Sequence, residues 1–171
     1  MRIKRNYLSA IKGFWAWLFS RFKLLTVHTE AIVIESVWEK IKEEVKKGKI
    51  SRWYVMTPTN ADYFKSEFNV STPKASLSKI LKGRYGWMIK QGARLELHVH
   101  LSMIMNNISY KEQEKMFKES IDWMKKELGI IPKEFVPGWW AYNKDTLALC
   151  KKYGLKMIHE RDYDYTHDYN F

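Results

Sequence analysis

The sequence predicts one α/β domain on a mainly parallel sheet, and three observations predict it. Segments of strand character alternate with segments of helical periodicity from residue 24 onward, the helical segments carry start or stop signals, and no repeat or linker interrupts the order. Parallel strands need crossover connections, which the intervening helices supply. At 171 residues the chain suits one domain with a substantial core, and 46% hydrophobic residues exclude a disordered chain.

The first strand runs from Leu24 to Glu30, with His28 and Glu30 on one face. Ser36 with Glu39 forms a capping box ahead of Val37, Ile41 and Val45 at helical spacing, and Gly48 supplies the stop. Ile50 to Thr57 is rich in strand formers and ends in the turn Thr57-Pro58-Thr59-Asn60. Thr72-Pro73 opens a helical stretch to about Gln91, with a break near Gly83 and Gly86. Arg94 to Leu101 alternates strictly, Leu95, Leu97, Val99 and Leu101 opposing Arg94, Glu96, His98 and His100. A second capping box, Ser109 to Glu112, begins a helix stopped by Gly129 and Pro132. A short strand near Phe135 follows, then a helix capped by Asn143 and ending near Gly154, then strand character from Leu155 to His159.

Residues 1–23 stand apart as a basic, aromatic N-terminal helix ahead of the domain over 24–171. The run from Tyr7 to Phe19 is interrupted by Lys12, is too short for a membrane span and lacks a small-residue cleavage site. Trp15, Trp17 and Phe19 beside Arg21 and Lys23 suit either an anionic membrane surface or the closure of a barrel bottom. The expected surroundings are therefore cytoplasmic or membrane-associated rather than secreted. A net charge of +11 attracts anions of every kind, but no nucleic-acid-binding signature accompanies it, so no specific nucleic acid is expected as partner. The single cysteine, Cys150, falls on the apolar pattern of its helix and reads as core.

Sites in parallel α/β sheets gather at the C-terminal ends of the strands. There the sequence places His28 and Glu30, Asn60 and Asp62, His98 and His100, Trp139, and His159 with Glu160. Imidazole and carboxylate bind divalent ions, and a catalytic zinc takes three protein ligands plus water. His28, Glu30, His98 and His100 are a set of that kind. The competing reading of His98 is a core histidine satisfied by Glu96 or by a backbone carbonyl.

From Leu24 to about Asp164 the order of segments resembles the NodB-homology domain of polysaccharide deacetylases, carbohydrate esterase family four. The likeness is densest from Lys133-Glu134-Phe135-Val136-Pro137-Gly138-Trp139-Trp140 through Asn143-Lys144-Asp145-Thr146-Leu147 to Tyr153-Gly154-Leu155. Leu95-Glu96-Leu97-His98-Val99-His100-Leu101 resembles the strand that carries the family's histidine motif, and Leu25-Thr26-Val27-His28-Thr29-Glu30 its first, Asp-containing strand. The resemblance implies a distorted, incomplete (β/α) barrel and metal-dependent removal of acetyl groups from a carbohydrate. It places His28 at the general base, Thr29 or Glu30 near a metal-binding position, and His98 at the first metal-ligating histidine, with zinc or another divalent ion as cofactor.

The departures from the family pattern are part of the reading. Ser102 stands where a second ligating histidine is expected, Val136 where the family has Arg, and the family's last motif is missing. Two expectations follow. In the first, His98, His100, Glu30 and Asp62 rebuild the metal site, with His28 and Glu30 as catalytic groups. In the second, catalysis is lost and a pocket of Pro137, Trp139, Trp140 and Tyr142 binds a carbohydrate or serves structure. Asp162 and Asp164 alternate near the C-terminus and suit a metal or sugar contact or a solvated strand end; His167 and Asp168 are candidates to substitute for the acid of the missing motif. An incomplete barrel leaves a sheet edge, for which a homodimer is one cover.

Overall fold

A computed structural model of the chain describes residues 25–101 and 108–160, with the side chains of Leu25 and Thr26 excluded. The N-terminal helix read from residues 1–23, Ser102, and the terminal Asp162, Asp164, His167 and Asp168 lie outside the described residues.

Five strands form one sheet in the order of the sequence: β1 (Leu25–Thr29), β2 (Ile50–Val55), β3 (Leu95–Val99), β4 (Glu134–Pro137) and β5 (Lys156–Met157). All four pairings are parallel, as the alternation of strands and helices predicts. An order without reversal, joined by right-handed crossovers, puts the helices on one face and leaves the other as the lining of a barrel. Among the described residues β1 and β5 do not pair, so the sheet is an open part of such a barrel.

The helices are α1 (Glu35–Lys47), α2 (Ala61–Phe68), α3 (Lys74–Lys90), α4 (Tyr110–Trp123) and α5 (Lys144–Lys152). Ser109 and Asn143 close the capping boxes that begin α4 and α5. Gly48, at φ 65°, ends α1 in the left-handed conformation that glycine adopts without a Cβ penalty. Two local readings need correction, and one helix is new. Ser36 is not the cap of α1, which begins at Glu35 because a 3-10 turn over Ala31–Val33 feeds Ile34 into the N-cap position. Residues 72–91 do not break at the glycines: α3 runs unbroken because Leu77, Leu81, Tyr85 and Met88 all bury one stripe. Helix α2 was not legible in the sequence at all.

The core lies between sheet and helices, where Val27, Trp53, Val55, Leu97, Val99 and Phe135 meet Ile41, Leu81, Tyr85 and Phe117. Cys150 belongs to it, and burial pushes its thiol up to about 11. On the opposite face Tyr54, Val136 and Ile158 form a small apolar cluster with Trp140. The remaining inner positions are polar and still buried: His28, Glu96, His98, His100 and Glu134. Buried polar groups require partners, and the two ends of this face find them differently. Among the described residues no helix is long and apolar enough to cross a membrane.

Candidate metal centre

At the C-terminal end of the sheet three side chains converge. Glu30 follows β1 as the residue before the 3-10 turn, and the alternation of β3 aims His98 and His100 to the same side. Glu30 Oε1 lies 3.1 Å from His98 Nε2 and 2.9 Å from His100 Nε2, and the two Nε2 atoms are 3.0 Å apart. His28 Nε2 stands 3.4 Å from the same Oε1. All four side chains are buried.

Proton accounting decides what this cluster needs. His98 Nδ1 is 3.0 Å from the carbonyl oxygen of Val136. A carbonyl only accepts, so Nδ1 carries a proton, and Nε2 points at Glu30 and His100. A proton on Nε2 of His100, whose Nδ1 has no hydrogen-bond partner among the described residues, or a metal ion can sit between these atoms. Both readings of His98 are therefore met at once: one nitrogen is satisfied by a backbone carbonyl, and the other faces Glu30 and His100, where an ion could be bound. Histidine ligands of metals are oriented through the second nitrogen in this way.

The distances suit a metal. Bonds of ~2.0–2.1 Å to zinc place tetrahedral ligand atoms roughly 3.3 Å apart, and the observed triangle has edges of 2.9, 3.0 and 3.1 Å. A small outward relaxation would seat the ion. Glu30, His98 and His100 are thus the residues that would hold a divalent metal.

Electrostatics keeps the donors in their binding forms. Burial, together with the neighbouring His98, pushes His28 down to about 3, and burial pushes His100 down to about 4. Both imidazoles are unprotonated at neutral pH. Burial alone would raise Glu30, but the adjacent His100 and His98 imidazoles outweigh that and hold the carboxyl well below the usual carboxylate range.

A shell of aromatic residues fixes the geometry. Tyr63 on α2 donates its phenolic proton to Glu30 Oε2, leaving Oε1 for the histidines. Its ring stacks on His100 with centroids 3.8 Å apart. Trp139 sets an edge against His100 at 4.6 Å. Gly138 lies under the His100 ring: a Cβ there would stand 2.3 Å from Cγ. Asn60 donates to the carbonyl of His100 at 2.9 Å. Trp139 and Trp140 both occupy the left-handed region, at φ 50° and 56°, a conformation costing roughly 1–2 kcal/mol per residue.

The residues singled out in the sequence divide accordingly. His28, Glu30, His98, His100 and Trp139 come together. Asp62 does not: it is exposed on the first turn of α2, while its neighbour Tyr63 points inward to Glu30. Pro137 ends β4 against Val99. Trp140 and Tyr142 turn away from Trp139 and border an open cavity of about 410 Å3 with His159 and Glu160. Tyr63 is the addition made by the fold, hidden because its helix was.

With the geometry known, comparison with solved structures gives the fold its relatives. The chain matches a CE4 family pseudoenzyme from Bacillus anthracis at TM-score 0.56 and 10% identity, over 79% of this chain and 41% of that one. It matches a family 4 carbohydrate esterase from Streptomyces lividans, seen in complex with acetate, at TM-score 0.53 and 13% identity, over 78% and 59%. It matches IcaB from Ammonifex degensii at TM-score 0.53 and 14% identity, over 79% and 58%. This chain therefore has the fold of the CE4 polysaccharide deacetylases and spans between 41% and 59% of the length of these relatives. No family model matches the sequence, and no curated protein matches it.

Proposed function

We propose that the chain is a polysaccharide deacetylase-like hydrolase that removes acetyl groups from a carbohydrate with the help of a divalent metal, zinc being the best fit. The observation that supports this most is the convergence of Glu30 Oε1, His98 Nε2 and His100 Nε2 within 3.1 Å at the strand ends of a CE4-like fold. A metal held there would polarise the acetyl carbonyl and lower the pKa of bound water.

The chain's own residues supply the rest. His28, unprotonated and 3.4 Å from Glu30, accepts the proton of the attacking water at Nε2 and returns it to the leaving sugar oxygen or nitrogen. Its lowered basicity makes it a ready but weak acceptor, so the histidine stands in for a carboxylate at some loss of rate. Tyr63 holds Glu30 by one oxygen, and His98 is held by Val136. Trp139, 43% exposed beside His100, offers an apolar wall to a sugar ring at the mouth of the site.

The test is acetate release from N-acetylated chitooligosaccharides and O-acetylated xylan, before and after chelation. Turnover that chelation removes and zinc restores supports the reading, as does a His28→Ala variant that keeps metal and loses turnover. A second reading, a glycan-binding domain without turnover, draws on Val136 standing where the resemblance expects Arg. It predicts glycan binding sensitive to Trp139→Ala and no acetate from any substrate.

A further inference from the structure

We infer that the N-terminal end of the sheet is a docking face for an anionic lipid bilayer, with the candidate metal centre held at the opposite end, away from the lipid. All five strands are parallel, so all start at this end, and α1, α3, α4 and α5 return the chain to it. The last turns of α1, α3 and α5, and the π-helical turn Met124–Leu128 that extends α4, each carry one or two lysines. Those lysines complement the helix macrodipole, which explains them without any ligand.

The macrodipole does not explain the cations that lie beyond the helices. One exposed cation stands at the start of each of four adjacent strands: Lys49 before β2, Arg94 before β3, Lys133 before β4 and Lys156 as the first residue of β5. Neighbouring strands lie ~4.8 Å apart, so these residues form a row of like charge along the end of the sheet. Arg94 is held by Glu96 at 2.7 Å. Lys49, Lys133 and Lys156 make no ion pair among the described residues, and they leave the row with unbalanced positive charge. Residues 1–23 join the domain at this same end, because β1 starts at Leu25. They add Arg2, Lys4, Arg5, Lys12, Arg21 and Lys23 and no acidic residue.

Ile131 is the independent sign that the partner is a lipid surface. It lies in the loop between the π-helical turn and β4, two residues before Lys133, and at 56% it is the most exposed large hydrophobic side chain among the described residues. An aliphatic side chain set among lysines suits acyl chains and anionic headgroups together. A nucleic acid would instead call for exposed rings on which bases stack. The exposed rings among the described residues, Tyr110, Trp139 and Tyr142, all belong to the opposite end, at the start of α4 and between β4 and α5.

The docking face does not depend on the deacetylase-like reading. Flotation of the full chain with vesicles tests it, using phosphatidylcholine alone and phosphatidylcholine mixed equally with phosphatidylglycerol. Lys49→Glu/Lys133→Glu/Lys156→Glu is compared with Lys74→Glu/Lys111→Glu/Lys144→Glu, an equal change of net charge placed in the first turns of α3, α4 and α5 at the opposite end. Wild type is expected to float with the mixed vesicles only, and raised salt to release it. The first triple variant should bind about tenfold or more weakly. The second should lose less than about twofold, because screening confines its charges to the far end. Ile131→Ser leaves the charge unchanged and should bind about threefold or more weakly. Absence of binding to the mixed vesicles would overturn the proposal, as would equal losses in the two triple variants or tighter binding of duplex DNA. So would affinity unmoved by Ile131→Ser or by the first triple variant, which would assign binding to residues 1–23 alone. Zinc content, unchanged in all three variants, separates failure here from failure of the metal centre.

Discussion

The two ends of the inner sheet face hold buried polar clusters of opposite character. At the N-terminal end every carboxylate has its donors. Glu96 Oε2 accepts from the backbone N–H groups of Lys133 and Glu134 at 2.7 and 2.9 Å, and Oε1 from the Arg94 guanidinium at 2.7 Å. Glu134 accepts from Tyr54 at 2.7 Å, with Arg52 at 3.3 Å. Two strand positions on, His98 begins a cluster in which His98 and His100 share one carboxylate oxygen, Glu30 Oε1, and His100 Nδ1 is buried with no hydrogen-bond partner among the described residues. One strand, β3, thus carries Glu96, a residue that closes the fold, beside His98, a residue of the candidate metal centre. A buried polar atom left without a partner, such as His100 Nδ1, is what calls for an explanation.

Breaking each end in turn should separate stability from binding. The largest effect falls on the closed end. Glu96→Ala strands the buried N–H groups of Lys133 and Glu134, which should cost about 2–4 kcal/mol. Urea unfolding measures this, and metal affinity of the folded fraction should stay as in wild type. At the open end, Gly138→Ala forces its Cβ into the His100 ring, costing about 1–3 kcal/mol of overpacking. It should lower metal affinity as well, so calorimetric zinc titration and unfolding should move together.

A gentler change sharpens the contrast further. Tyr63→Phe keeps the ring on His100 and removes only the hydrogen bond to Glu30. Zinc affinity should fall roughly 10–100-fold while stability of the metal-free chain barely changes. The acid response should come from the open end too. His28 and His100 sit near 3 and 4 in the fold against 6.5 unfolded, so their stabilisation is complete above 6.5 and is lost as pH falls through the folded values. Metal-free protein should therefore soften below pH 6.5 in thermal melts, and His28→Gln should soften less.

The parts of this architecture that repeat a local rule were legible in the sequence. Strict alternation in Arg94 to Leu101 marked β3, and Ser109 with Glu112 and Asn143 with Thr146 marked two helix starts that the structure keeps. Placing His28, Glu30, His98 and His100 at one edge needed only strand periodicity and parallel order. What was not legible depends on tertiary contact. Helix α2 is eight residues long, with a single fully buried anchor, Phe64, so it leaves almost no periodic signal. Tyr63 on it therefore escaped notice and Asp62 beside it drew the attention, because a carboxylate advertises metal binding and a phenol does not. The unbroken course of α3 through Gly83 and Gly86 likewise reflects its buried stripe overriding propensity.

The central claim is that Glu30, His98 and His100 form a metal centre. Elemental analysis of the purified chain after zinc loading and desalting tests it most directly, with Glu30→Gln in parallel. The account predicts one divalent ion per wild-type chain and none in the variant at unchanged far-UV circular dichroism. A wild-type chain that retains no metal, or a variant that retains it, would contradict the account.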